Sequence, residues 1–138
     1  MSRQNWQLIF LVGAVFNLLV AGAFVLFPTA TLQLLGFAAI EGGVPANPVW
    51  YGLFWWLVTV FGIGYYMVSR DPVGNRGIAF MGFVGKVGVW VIATVLWVRG
   101  DVPILFELIA VGDLLFSLLF LWFLRQDSSA RAGASFAH

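Results

Sequence analysis

Residues 104–124 read ILFELIAVGDLLFSLLFLWFL, an unbroken apolar run in which only Glu107 and Asp113 are ionisable. Wound as an α-helix at about 1.5 Å per residue, the run is about as long as the 30 Å hydrocarbon core of a bilayer is thick. It therefore reads as a membrane span. Asp113 falls near its middle, where an ionised group costs roughly 2.5 to 3.5 kcal/mol, so the carboxyl needs a partner elsewhere in the chain.

Three runs of the same kind precede it, at residues 8–27, 49–68 and 78–98. Breakers separate them: Pro28, then Glu41-Gly42-Gly43-Val44-Pro45 and Pro48, then Asp71-Pro72-Val73-Gly74-Asn75, and last Gly100-Asp101-Val102-Pro103. The two later loops are short, which makes the second, third and fourth spans sequential antiparallel neighbours. The expected fold is all-α, an integral membrane bundle of four transmembrane helices in one domain over residues 1–125. After the first span, Thr29, Leu32, Gln33, Leu34, Leu35, Gly36 and Phe37 mix apolar and polar residues. Such a mixture suits a short interfacial helix on the outer surface, or else a plain connector. Residues 126–138, rich in Ala and Ser, are expected to be a disordered cytoplasmic tail.

Composition agrees with burial in lipid. The chain has 138 residues, 62% hydrophobic and only 9% charged, whereas a soluble domain carries about 25% charged residues to face water. An isolated water-soluble domain is excluded. Net charge is +1 with no basic cluster, so no nucleic-acid footprint is present. There is no cysteine and the single histidine is His138. Disulfides, thiolate nucleophiles, iron–sulfur clusters, the usual zinc sites and His-ligated haem are thereby removed. No catalytic residue, metal site or cofactor is expected from the residues themselves.

Arg3, Arg70, Arg76, Arg125 and Arg131 fall on one side of an alternating four-span path, and only Arg99 on the other. By the positive-inside rule both termini are cytoplasmic, and a bacterial inner membrane is the expected location. Trp6, Tyr65, Tyr66 and Trp122 fit an inner aromatic belt, and Trp50, Tyr51 and Trp97 an outer one. A cleavable signal peptide is the rival reading of the first span, from Arg3 and the small-residue site Ala21-Gly22-Ala23. The run stays apolar to Phe27, long enough to span by itself, so it is read as retained.

Counting inward from the cytoplasmic boundary, Lys86 lies about 13 Å deep in the third span and Asp113 about 18 Å deep in the fourth. A lysine stem reaches several ångströms along a helix, so these two charges can meet. Asn17 of the first span and Thr59 of the second fall at similar depth, about 13 and 15 Å. All four spans thus place a polar side chain in one layer. Asn17 shares its face with Gly13, Ala14 and Ala21, and Lys86 with Ala79, Gly82 and Ala93, small residues that mark helix contacts in membranes. The layer is read as pointing into the bundle. Glu107, one turn below the outer surface, is a secondary candidate, expected to reach the headgroups or to pair with Arg99.

Two readings of the layer stay open: a buried Lys86–Asp113 pair that fixes helix register, or a proton, ion or ligand site. Weaker signals have blander explanations. Arg99-Gly100-Asp101 spells an adhesion tripeptide but forms a tight turn. Gly82, Gly85 and Gly88 follow no strand, so they fit close helix packing and not a nucleotide loop. A Lys–Asp pair also suggests a retinal Schiff base, for which four spans are too few.

Asn75-Arg76-Gly77, Gly85-Lys86, Gly112-Asp113-Leu114-Leu115-Phe116 and Leu121-Trp122-Phe123-Leu124 resemble the small four-span bacterial membrane proteins grouped as DoxX-like. The likeness covers the last two spans. Some of that group resemble a membrane subunit that passes electrons from thiosulfate to quinone. The resemblance implies Lys86 and Asp113 as polar groups near a quinone head, with electrons supplied by another chain.

Three functions follow as expectations. The first is a non-catalytic accessory or structural subunit of the inner membrane. The second is an oligomeric transporter or proton pathway through Lys86 and Asp113. The third is a membrane subunit of a quinone-linked oxidoreductase. The partners expected are the lipid bilayer, and further copies of the chain or other membrane subunits.

Overall fold

The fold is known from a computed structural model, which describes residues 1–37 and 47–135, with side chains through residue 126. Five helices follow one another: α1 (Arg3–Leu26), α2 (Pro28–Leu34), α3 (Pro48–Arg70), α4 (Arg76–Val98) and α5 (Ile104–Ser135). No strand occurs among the described residues. Four stretches, Arg3–Leu26, Pro48–Arg70, Arg76–Val98 and Ile104–Gln126, are long and apolar enough to cross a membrane. Between 22 and 33% of each apolar stretch is buried inside the bundle. The outward remainder carries large apolar side chains such as Leu19, Leu57, Ile92 and Leu115, a surface that only hydrocarbon covers without penalty. The chain is an integral membrane protein built as a four-helix bundle.

The ends of the helices follow from local chemistry. Ser2 caps α1, its hydroxyl accepting from the Asn5 amide at 3.3 Å, and Asn47 caps α3 by accepting from the Trp50 amide at 3.2 Å. Pro28 and Pro48 occupy first-turn positions, where a missing N–H costs nothing. Helices α2 and α4 end in the same way. The Gly36 and Gly100 amides bond back to Gln33 and Trp97, and the next amides, of Phe37 and Asp101, to Leu32 and Leu96. This six-to-one closure needs a left-handed residue, supplied by Gly36 at φ 87° and Gly100 at φ 81°. Between α3 and α4, the Asn75 side chain donates to the Met67 and Asp71 carbonyls at 3.2 and 3.1 Å, closing the end of α3.

The spans pack as two helical hairpins, α1 along α3 and α4 along α5, with much looser contact between the two. In the first hairpin Gly62 lets α3 approach α1 so closely that a Cβ there would lie 2.9 Å from Leu18 Cγ. The hairpins join best at the end that holds Met1 and Gln126, whose N-terminal amine and Oε1 stand 3.5 Å apart. All four spans supply that core: Phe10 stacks on Phe120 at 4.6 Å, Tyr65 meets Phe120 edge-on at 5.1 Å, and Ala79 is fully buried. At the opposite end Trp55 stacks on Phe24 at 4.0 Å, and the Tyr51 hydroxyl donates to the Phe24 carbonyl at 2.8 Å.

The short helix expected after the first span is α2, tied to α1 by the Thr31 hydroxyl on the Ala23 and Phe27 carbonyls. Leu32, Leu35 and Phe37 then pack with Phe24 and Trp55 and close this end of the bundle. The breaker Glu41 to Pro45 lies outside the described residues. Helix α5 continues to Ser135, so the backbone of residues 126–135 is helical where disorder was expected. Ala130, Ala132 and Ala134 are strong helix formers, and adding a residue to an existing helix avoids the cost of nucleation.

Candidate functional site

Ala79, Gly82 and Ala93 bring the inward face of α4 close to its neighbours and carry Lys86 with them into the bundle. The Lys86 ammonium donates to Asp113 Oδ1 of α5 and, at 3.1 Å, to Asn17 Oδ1 of α1. Asn17 Nδ2 in turn donates to the Val58 carbonyl of α3 at 3.4 Å. The lysine and aspartate side chains are only 6 and 15% exposed. Around the ammonium stand the rings of Phe16, Tyr65 and Phe116, with centroids 5.4 to 5.9 Å from Nζ. Their electron-rich faces add favourable electrostatics to the ion pair.

Three of the four residues expected in the polar layer therefore meet. Thr59 does not. Its hydroxyl donates to the Trp55 carbonyl of its own helix at 2.9 Å, the usual back-bond of a helical threonine whose only near acceptor is one turn earlier. Helix α3 reaches the layer through the Val58 carbonyl and Tyr65 instead. Tyr65 is 1% exposed and faces inward, not toward an interfacial belt. Its ring lies across Gly82, where a Cβ would sit 2.5 Å from Tyr65 Cε1. That glycine, which leaves room for a ring to lie across it, was the signal available in the sequence.

Glu107 also differs from expectation. It is buried, and the Thr94 hydroxyl donates to its Oε1 at 2.8 Å. Arg99 pairs with Asp101 at 3.1 Å, on the exposed turn. The close packing of α4 on α5 turns Glu107 toward Thr94, and its Oε2 has no partner among the described residues.

Between the two hairpins a cavity of about 210 Å³ ends on this polar cluster. Its walls are Phe16 and Val20 of α1, Trp55, Val58 and Phe61 of α3, Val89 of α4, and Phe106 and Ile109 of α5. Asn17, Tyr65, Lys86 and Asp113 form its polar floor. Among the described residues no three of His, Cys, Asp and Glu come together as a metal site. The arrangement can hold an apolar body and hydrogen-bond one polar head. Compared with protein-family models, curated proteins and solved structures, the chain matches none.

Proposed function

We propose that the chain is a non-catalytic protein of a bacterial inner membrane that holds a small apolar molecule between its hairpins, as an accessory subunit beside other membrane subunits or further copies. The observation that carries this reading is the cavity of about 210 Å³ ending on Asn17, Lys86 and Asp113. Roughly 150 Å³ of apolar space suffices for a benzene ring, so a ring-sized body fits. Small-molecule sites combine such apolar walls with a few convergent polar groups. The excess of arginines on one side supports cytoplasmic termini, and reporters fused at His138 and inserted at Gly43 are expected on opposite sides.

The test of binding is mass spectrometry of small molecules that co-purify with the full chain extracted in a native lipid patch. Val58→Phe, which extends a ring into the cavity, is expected to lose an apolar molecule that the unaltered chain retains. Equal retention by both overturns the reading. The aromatic walls favour a second reading, in which the resemblance to DoxX-like proteins makes the guest a quinone and a partner chain supplies its electrons. A proton pathway finds support in the unpartnered Glu107 Oε2, since a carboxyl inside a membrane is a functional candidate by default.

A further inference from the structure

The floor of the cavity has hydrogen-bonding capacity left over. Tyr65 is 99% buried on α3 and borders the cavity, yet its hydroxyl makes no hydrogen bond to any described residue. Asp113 gives Oδ1 to Lys86, and its Oδ2 accepts no hydrogen bond among the described residues. Lys86 uses two of its three N–H groups, on Asp113 and Asn17. One strong acceptor, one hydroxyl and one N–H thus remain on residues that line the same apolar space.

These groups restrict the head of the guest. A cation meets the Lys86 ammonium and an anion meets the Asp113 carboxylate. The pair itself has no net charge to offset either one in a medium of low dielectric. A head that only accepts, such as a carbonyl, leaves Asp113 Oδ2 unserved. A neutral hydroxyl serves both kinds of group, donating to Oδ2 and accepting from Tyr65 or Lys86. The walls restrict the body in the same way. Phe16, Trp55, Phe61 and Phe106 present rings, and flat aromatic molecules gain offset stacking or edge contacts there.

The route in is also legible. Along α4, a Cβ at Gly82 would collide with Tyr65, one at Gly85 would meet Phe61 of α3 at 3.7 Å, and one at Gly88 would meet nothing within 4 Å. Helix α4 contributes no buried residue to the core at the α2 end. Contact between α3 and α4 thus fades toward that end, and Phe54 and Leu57, 42 and 56% exposed, stand at the rim. The gap opens through the lipid-facing side of the bundle.

We infer that the cavity takes a neutral aromatic hydroxyl compound of the phenol class, dissolved in the bilayer and admitted sideways between α3 and α4, with its hydroxyl on Asp113 Oδ2 and Tyr65. The inference rests on the binding reading above and names the guest for the same cavity. The test uses the full chain in lipid nanodiscs with four probes of one shape: 4-pentylphenol, pentylbenzene, 4-pentylbenzoate and 4-pentylbenzylammonium. Binding is read as the rise in unfolding temperature at matched membrane concentration, set against empty nanodiscs for partitioning. The phenol is expected to bind roughly tenfold tighter than pentylbenzene, and both ionic probes more weakly than the phenol.

Tyr65→Phe keeps the ring on Gly82 and is expected to cut the phenol preference several-fold. Val58→Phe is expected to abolish binding of every probe. If phenol and pentylbenzene bind alike, or an ionic probe binds best, the hydroxyl inference fails while the cavity reading stands. If none of the four binds, both fail. A full phenol preference in Tyr65→Phe overturns the contact assigned to that hydroxyl.

Discussion

At the end of the bundle that holds Met1 and Gln126, four helices share one core, with Trp6 and Phe10 from α1, Val68 from α3, Ala79 from α4 and Phe120 from α5. At the other end the core is Ala21, Phe24, Leu35 and Trp55, from α1, the α2 segment and α3, and α4 is missing from it. The same four spans are thus clamped at one end, whereas at the other α5 joins only through the partly buried Phe106 and Ile109 and α4 stands aside. In a bilayer the hydrophobic effect does not drive helices together, so packing and polar contacts decide where they meet. Interlocked rings and glycine contacts hold the first end. Near the middle, Lys86 bonds across to Asn17, and beyond it the cavity lies between the hairpins until Phe37 meets Phe106 edge-on at 5.7 Å.

The largest expected effect comes from the polar tie itself. Asp113→Asn leaves the Lys86 ammonium buried without its counter-charge and is expected to cost on the order of 3 to 5 kcal/mol. Membrane abundance and resistance to unfolding should both fall. Lys86→Met with Asp113→Leu removes both charges and should restore much of the loss. Normal accumulation of both single variants, with no gain in the double, would show that the pair does not hold the hairpins together.

A smaller effect separates the two ends directly. Phe120→Ala empties a fully buried site in the clamped core and is expected to cost on the order of 3 kcal/mol. Val58→Ala only enlarges a cavity that exists, and about 1 kcal/mol or less is expected because its side chain lacks partners on one side already. Reversible unfolding in bicelles measures both, and equal costs erase the distinction between the ends.

The smallest effect reads the glycines of α4. Gly82→Ala drives a methyl into the Tyr65 ring, at about 1 to 3 kcal/mol. Gly88→Ala meets nothing and should stay within about 0.5 kcal/mol of neutral, as surface changes do. The same unfolding assay compares them. A costly Gly88→Ala contradicts the fading contact between α3 and α4.

The four spans were legible because lipid imposes one demand along each entire helix, and the runs at 8–27, 49–68, 78–98 and 104–124 meet it continuously. Lys86, Asp113 and Asn17 were legible for a related reason. Charges are so costly in hydrocarbon that depth alone pairs them. Thr59 was not, since a hydroxyl can satisfy itself on its own helix at little cost and depth then says nothing about its neighbours. Glu107 and Tyr65 depended on rotation about the helix axis, which only contact with α4 settles, through Thr94 in one case and Gly82 in the other. The cavity had no signal at all, because a space between helices belongs to no residue.

The sequence distances inside the polar cluster also bear on how the chain enters the membrane. Lys86 and Asp113 are 27 positions apart, on two helices joined by a tight turn, whereas Lys86 and Asn17 are 69 apart. The third span bears the whole cost of the Lys86 charge if it enters hydrocarbon alone. Followed at once by the fourth, it can neutralise its charge before either helix leaves the insertion machinery. The second hairpin therefore carries its own permit into the bilayer, and the first need only be waiting when it arrives.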